Sequence, residues 1–391
     1  MKKSFLFLLI TIFVCEFYTT DVYGIPAFAR KYRMSCKTCH SPMPRLKAYG
    51  DEFAGNGFKL ADKQAPRYYV ETGDSELSLI RDFPLALRMD AHVTYRNEPQ
   101  RNDFKTPWIL KLLSGGEIAN NVAYYFYFYL SEYGEVAGVE DAYIMFNNLF
   151  GSELDIYAGQ FQVSDPLFKR ELRLTLEDYS IYKVKPSFSD ISLAYDRGFM
   201  FTYGFDTGTD VMFEVLNGNG LSQLNGLRQL DKDDYKNLAG RITQDVGDFL
   251  RVGFFGYFGQ EMINIGSVNQ TKNKMHYWGP DLTLSYNDKI ELNVQYLQRE
   301  DDVENSTVYS DKIKTRGGLA ELIITPNGDD SKWYAVGMFN LVESDMADLN
   351  YRTAALHIGH LLNRNIRLVG EYTYNLTYEF NQVGIGVVTA F

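Results

Sequence analysis

Cys36, Cys39 and His40 form a C-x-x-C-H pentapeptide, and no other stretch of this 391-residue chain combines residue types and spacing that point so directly to chemistry. Two thiols at this separation can each form a thioether to a vinyl group on one edge of a porphyrin. The histidine after them is then placed to ligate the iron. A zinc site would want a second ligand pair at comparable spacing, and a thiol-redox pair would want a βαβ surrounding; neither is found. The expectation is one covalent haem c, held by Cys36 and Cys39, with His40 as the proximal iron ligand.

The sixth iron position has several candidates. Met34 and Met43 lie so near the motif that packing is the expected role of both. His92 and His357 each fall within an alternating segment, on its polar side. Either could reach the iron from across a lumen, and His92 is the first distal candidate. A hydrogen-bonded interior histidine is the alternative for each. His276 and His360 lie near strand ends and carry no stronger claim.

The elements around the motif set its context. Lys2 and Lys3 precede the apolar run Phe5 to Val14, and a polar stretch ends at Val22-Tyr23-Gly24. Residues 1–24 therefore suit a cleaved signal peptide, too short for a spanning helix. Cys15 comes after Val14 rather than a small residue, which argues against lipid attachment. Residues 25–60 form the haem segment, in which Leu46, Tyr49, Gly50 and Phe53 recur at helical spacing before Gly55 and Gly57. So short a segment cannot bury a haem alone, and the chain beyond the 61–83 linker must complete the pocket.

Residues 84–391 carry short alternating segments. Val383, Ile385, Val387 and the terminal Phe391 oppose Gly384, Gly386 and Ala390. Ile366, Leu368, Tyr372 and Tyr374 oppose Arg367, Glu371, Thr373 and Asn375, and Leu282, Leu284 and Tyr286 oppose Asp281, Thr283 and Ser285. On the first strand, Leu85, Leu87, Met89 and Val93 point to lipid while Arg88, Asp90, His92 and Arg96 point to the lumen. Turn signals at 114–116, 148–151, 206–208, 246–248, 287–288, 326–328 and 363–365 interleave with longer polar stretches near 98–105, 131–138, 163–188, 218–235, 261–273, 301–313, 343–350 and 376–380. Short and long connections in alternation predict an all-β fold: an antiparallel outer-membrane β-barrel of about sixteen strands, preceded by a small, mostly helical monohaem cytochrome c segment. A soluble sandwich is the rival, but it calls for neither the signal peptide nor the terminal phenylalanine strand. The run Val122 to Leu130, rich in Tyr and Phe, suits an interfacial aromatic girdle.

A net charge of −11 excludes a basic nucleic-acid binder. Acidic residues gather in the longer stretches, including Glu132, Glu135 and Glu140, Asp231, Asp233 and Asp234, Glu300 to Glu304, and Glu343 with Asp345. Such a mouth raises local cation concentration, but it is equally the solvated face of a porin, so no metal site is assigned there.

Pro26-Ala27-Phe28-Ala29-Arg30, Cys36-x-x-Cys39-His40, Pro44-x-Leu46, Gly50-x-x-Phe53 and Gly57-Phe58, with a barrel-like remainder after them, resemble the fused monohaem cytochrome-porins of the bacterial outer membrane. The best-known members of that family are Fe(II)-oxidising cytochromes of iron-oxidising bacteria. The resemblance implies one-electron transfer from an extracellular donor, Fe(II), to a periplasmic c-type cytochrome or another soluble carrier, an Fe(II):cytochrome c oxidoreductase activity. It also implies outer-membrane lipid around the barrel and both termini in the periplasm. Two other readings stay open. One is a porin-type solute channel with a haem-bearing plug, in which the 163–188 loop with Lys169, Arg170 and Arg173 folds inward as a constriction. The other is outward transfer to an extracellular acceptor.

Overall fold

A computed structural model describes residues 27–60, 73, 76–77, 83–224, 226–265, 269–304 and 312–391. The expected signal peptide and most of the 61–83 linker lie outside the described residues. Two short helices come first, α1 (Ala27–Tyr32) and α2 (Ala48–Gly55). Sixteen strands come after them: β1 (Leu85–Asn97), β2 (Gln100–Ala119), β3 (Val122–Glu132), β4 (Gly138–Leu149), β5 (Leu154–Phe161), β6 (Asp196–Phe205), β7 (Thr209–Leu216), β8 (Asn237–Val246), β9 (Leu250–Ile265), β10 (Asn269–Tyr286), β11 (Ile290–Val303), β12 (Ile313–Ile324), β13 (Trp333–Ser344), β14 (Tyr351–Asn363), β15 (Ile366–Asn375) and β16 (Phe380–Ala390). Each pairs antiparallel with its chain neighbours, and β1 pairs with β16 to close the barrel.

The alternation read from the sequence is the alternation of the wall. Val93, Val383, Ile385 and Val387 are exposed on the outside, whereas Asp90, His92, Thr94, Glu371 and Thr373 are buried in the lumen. An exposed apolar belt over polar interior positions is the arrangement lipid demands of a barrel. The aromatic run of β3 splits by the same rule. Tyr127 and Tyr129 turn inward and are buried, so only its alternate members can serve a girdle.

Three connections differ from expectation. Gly115 and Gly116 do not turn; they lie inside β2, and the turn falls at Asn120-Asn121, where Asn121 adopts φ 57°. A Cβ on Gly115 would lie 2.8 Å from the Phe58 ring, so the glycine makes room for the N-terminal segment. The polar stretches near 98–105 and 261–273 are largely strand, not loop. β2, β9 and β10 run to 20, 16 and 18 residues, more than the roughly 9–11 needed to cross a bilayer, so their outer parts need no apolar face.

The lumen is filled by two pieces of chain. The first is the N-terminal segment, set in the short-turn end. Phe28 stacks on Phe58 with centroids 4.8 Å apart, Phe58 stacks on Tyr125 of β3 at 5.5 Å, and Phe53 meets both Phe28 and Phe58 edge-on. Burying each phenylalanine contributes about 1.5–3 kcal/mol. Lys37–Asp330 at 3.0 Å, Asn147 Nδ2 to the Gly55 carbonyl at 2.7 Å, and the pairs Arg45–Glu291 and Lys47–Asp329 tie the segment to turns around the rim. The second piece is the connection of residues 162–195 between β5 and β6, which folds inward as the sequence allowed. Its Leu176 and Glu177 amides donate to Glu371 at 2.6 and 2.9 Å, Tyr179 donates to Glu321 at 3.0 Å, the Asp190 amide donates to Glu261 at 2.9 Å, and Arg299 donates to the Ile191 carbonyl at 2.7 Å.

Two substitutions test this architecture. Gly115→Val should push Phe58 off β2 at a cost of about 1–3 kcal/mol, seen as faster tryptic cleavage of the N-terminal segment in the folded barrel. Ile385→Arg, on a side chain 64% exposed in the middle of β16, should destabilise the vesicle-inserted barrel by about 2–4 kcal/mol in urea titrations, whereas the same change in a soluble β-protein would cost little.

Candidate functional site

The pentapeptide sits on a tight turn between the two helices. After α1 the chain reverses at Arg33, with φ 53°, and Ser35 caps a single 3-10 turn over Cys36–Thr38. The Cys39 and His40 amides both donate to the Cys36 carbonyl, at 3.2 and 2.9 Å. The chain then doubles back, with the Ser41 amide on the Arg45 carbonyl at 3.1 Å and the Lys47 amide on the Cys39 carbonyl at 2.9 Å. Gly50 of α2 lies so close to this turn that a Cβ would strike the Cys39 carbonyl and the Leu46 side chain.

His40 Nδ1 is 2.8 Å from the Pro44 carbonyl. A carbonyl only accepts, so Nδ1 carries the proton and Nε2 keeps its lone pair. A ring oriented by a backbone carbonyl is how proteins prepare a histidine for metal ligation. Burial pushes the His40 imidazole below its ordinary pKa and keeps it neutral, while burial pushes the Cys36 and Cys39 thiols up. The two thiols are not joined to each other.

All three side chains border one cavity of about 240 Å³ between the N-terminal segment and the wall. Phe28, Met34, Leu46, Phe53 and Phe58 make its apolar side, joined by Leu113 and Val388 of the barrel. Charged side chains border it too: Arg88, Lys111, Asp141 and Arg367 from strands, and Asp165, Lys169 and Glu171 from the inner connection. Glu171 accepts from Tyr129 at 2.7 Å and from Lys111 at 3.2 Å. Burial acts to raise its pKa, but Arg170, Lys111 and Arg173 hold the carboxyl well below the usual range. Burial pushes Asp165 up to about 6, against the pull of Lys169. Two thiols, an imidazole oriented by a backbone carbonyl, an apolar wall and an arginine without a carboxylate partner among the described residues, Arg367, together fit a flat apolar macrocycle that carries carboxylates.

The other expected residues are distributed differently. Met34 and Met43 both line the cavity. His92 points inward, 2% exposed, but does not border the cavity; its ring lies against the backbone of Gly386, and neither ring nitrogen has a hydrogen-bond partner. His357 is the hydrogen-bonded interior histidine, with Nδ1 3.0 Å from Glu371 and Nε2 3.4 Å from the Tyr334 hydroxyl. His360 packs against Trp333, with ring centroids 4.1 Å apart and the planes tilted by 34°. Among the described residues no three His, Cys, Asp or Glu side chains converge as a metal cage. Of the carboxylates expected in loops, Glu300 lies on β11 and Glu343 on β13, and several are already paired: Glu343 with Arg316 at 3.1 Å and with Arg352, Glu304 with Lys274 at 2.6 Å, and Glu300 with Lys312. Asp165, Lys169 and Glu171 were not anticipated at the site, because only the inward fold of their connection brings them there. Arg88 and Arg367 were legible as lumen-facing by parity, but not as neighbours of the motif.

No protein-family model and no curated relative matches the chain. Solved structures do. An anion-selective porin from Comamonas acidovorans superposes with a TM-score of 0.58 at 13% identity, covering 79% of this chain and 99% of that one. The outer membrane channel DcaP of Acinetobacter baumannii gives 0.56 at 12% identity over 79% and 97%. The in-vitro folded trimer form of OmpT, an outer membrane protein of Vibrio cholerae, gives 0.56 at 13% over 79% and 99%. At these identities the likeness shows the fold, a porin barrel of the outer-membrane type.

The raised Asp165 pKa makes a pH prediction. Asp165 holds its proton more tightly folded than unfolded, so ionising it costs the folded state stability as pH rises from 3.8 to about 6, and the whole cost remains above that. Asp165→Asn should therefore raise the unfolding temperature of the detergent-solubilised barrel at pH 8 and leave it unchanged at pH 3. An equal shift at both pH values would refute the assignment.

Proposed function

We propose that this chain is an outer-membrane porin-fold electron-transfer protein, in which a covalently held haem c sits in the plugged lumen. Like the cytochrome-porins it resembles, it accepts electrons from extracellular Fe(II) and delivers them to a periplasmic c-type cytochrome or another soluble carrier. The observation that carries this reading is that Cys36, Cys39 and His40, whose Nδ1 is held by the Pro44 carbonyl, border one cavity inside a filled barrel. When bound there, haem supplies a one-electron couple. The chain does the rest. Cys36 and Cys39 tether the group, Pro44 orients the ring of His40, and the phenylalanines of the N-terminal segment keep water from the apolar side. The inner connection, tied to β2, β3, β9, β11, β12 and β15 among other strands of the wall, narrows the remaining path for solutes.

A solute channel with a haem-bearing plug is the second reading, and the names of the porins with the same fold favour it. The two separate in one preparation. The full chain is produced with cytochrome c maturation machinery and reconstituted in outer-membrane vesicles and in planar bilayers. Fe(II) should reduce the bound haem, Cys36→Ala with Cys39→Ala should bring that reduction to background, and the wild type should show little steady conductance. Haem that stays oxidised with Fe(II) but responds to dithionite would remove iron as donor. Large open-pore conductance, unchanged in the double variant, would establish the channel instead.

A further inference from the structure

Three strand-borne cations border the cavity, and two of them are neutralised. Arg88 on β1 is forked onto Asp90, its Nε and Nη2 lying 2.8 and 2.6 Å from the two carboxylate oxygens. Lys111 on β2 lies 3.2 Å from Glu171. Arg367 on β15 is different. It borders the cavity and is 1% exposed, its Nη1 donates to the Tyr334 hydroxyl at 2.6 Å, and its Nε has no partner. Among the described residues no carboxylate pairs with it. Glu371, inward on the same strand, is occupied by the Leu176 and Glu177 amides and by His357. Lys169, the cation from the inner connection, is taken by Asp51 at 2.8 Å.

A guanidinium taken out of water is tolerated when an anion meets it; a phenol alone does not compensate the charge. An unpaired arginine in a cavity wall therefore marks where the cavity's occupant is negative. We propose that Arg367 is the carboxylate anchor of the group tethered at Cys36 and Cys39, and that it binds a haem propionate. The porphyrin carries its propionates on the side away from the vinyl groups that react with thiols. A group tethered on the N-terminal segment thus has its carboxylates free for the barrel wall, and a planar fork of N–H donors suits a carboxylate. This inference rests on the haem reading above. Arg367 acts on the iron only through the bound group and is a positioning residue.

The test is a redox titration of the haem-loaded full chain and its Arg367→Gln and Arg367→Lys variants, with covalent haem counted by pyridine haemochrome and folding checked by heat-modifiable gel mobility. Loss of a positive charge beside the group favours the ferric form. Gln should shift the ferric to ferrous ratio at fixed potential at least tenfold, about 59 mV downward, and add a pH dependence as the released propionate titrates. Lys should keep the ratio within threefold of the wild type. If Gln does not fold, Arg367→Met, apolar and close in volume, supplies the neutral variant with the same expected shift. A folded neutral variant with wild-type haem content, potential and pH profile overturns the role of Arg367 and leaves the haem reading intact. A wild type without covalent haem overturns both.

Discussion

Inside the hydrocarbon of a bilayer every backbone N–H and C=O must find its partner within the protein, and a sheet satisfies that only by closing on itself. The pairing of β1 with β16, from Arg88 opposite Ala390 to Arg96 opposite Gln382, is that closure. Closure at sixteen strands has a price, a lumen too wide to be filled by the inward side chains of the wall. The wall faces it with polar and charged groups, which need partners of their own once water is displaced. The N-terminal segment and the inner connection supply many of them, so the barrel's interior becomes a folded polar core with one largely apolar cavity.

The inner connection shows how that core is specified. Glu371, Glu321 and Glu261 stand on β15, β12 and β9, and each accepts from the same stretch of chain, two of them through its backbone amides. Arg299, wholly buried, donates to both the Ile191 carbonyl and Ser189, and is forked onto Asp301. Removing one partner would leave its mate buried and unsatisfied, which is why such networks fix a single arrangement. The charged lining of the cavity belongs to this network too, where Lys111 and Glu171 serve the connection's anchoring as much as the site.

The barrel was legible because its rule is local. Period-2 alternation in β1, β10, β15 and β16 predicts which side chains face lipid, and each of these predictions survives in the wall. Failures came where a residue's reason is tertiary. Gly115-Gly116 looks like a turn, yet its lack of side chains serves Phe58, a residue nearly sixty positions earlier in the chain. The polar stretch after Pro99 looks like a loop, because nothing in one strand tells how far it projects past the membrane. The motif Cys36, Cys39 and His40 needed no fold to be noticed. Its surroundings did, since Asp165, Lys169 and Glu171 reach it only through the path of a 34-residue connection from Gln162 to Tyr195.

The burial of Cys39 also bears on the making of the protein. Cys39 is buried, Cys36 is half-buried, and the cavity beside them lies between the N-terminal segment and a wall that exists only once the strands have closed. An attachment enzyme needs both thiols and the porphyrin edge in its own active site at once. A group joined to Cys36 and Cys39 is therefore more readily joined while the chain is still open than after the wall has closed over Cys39.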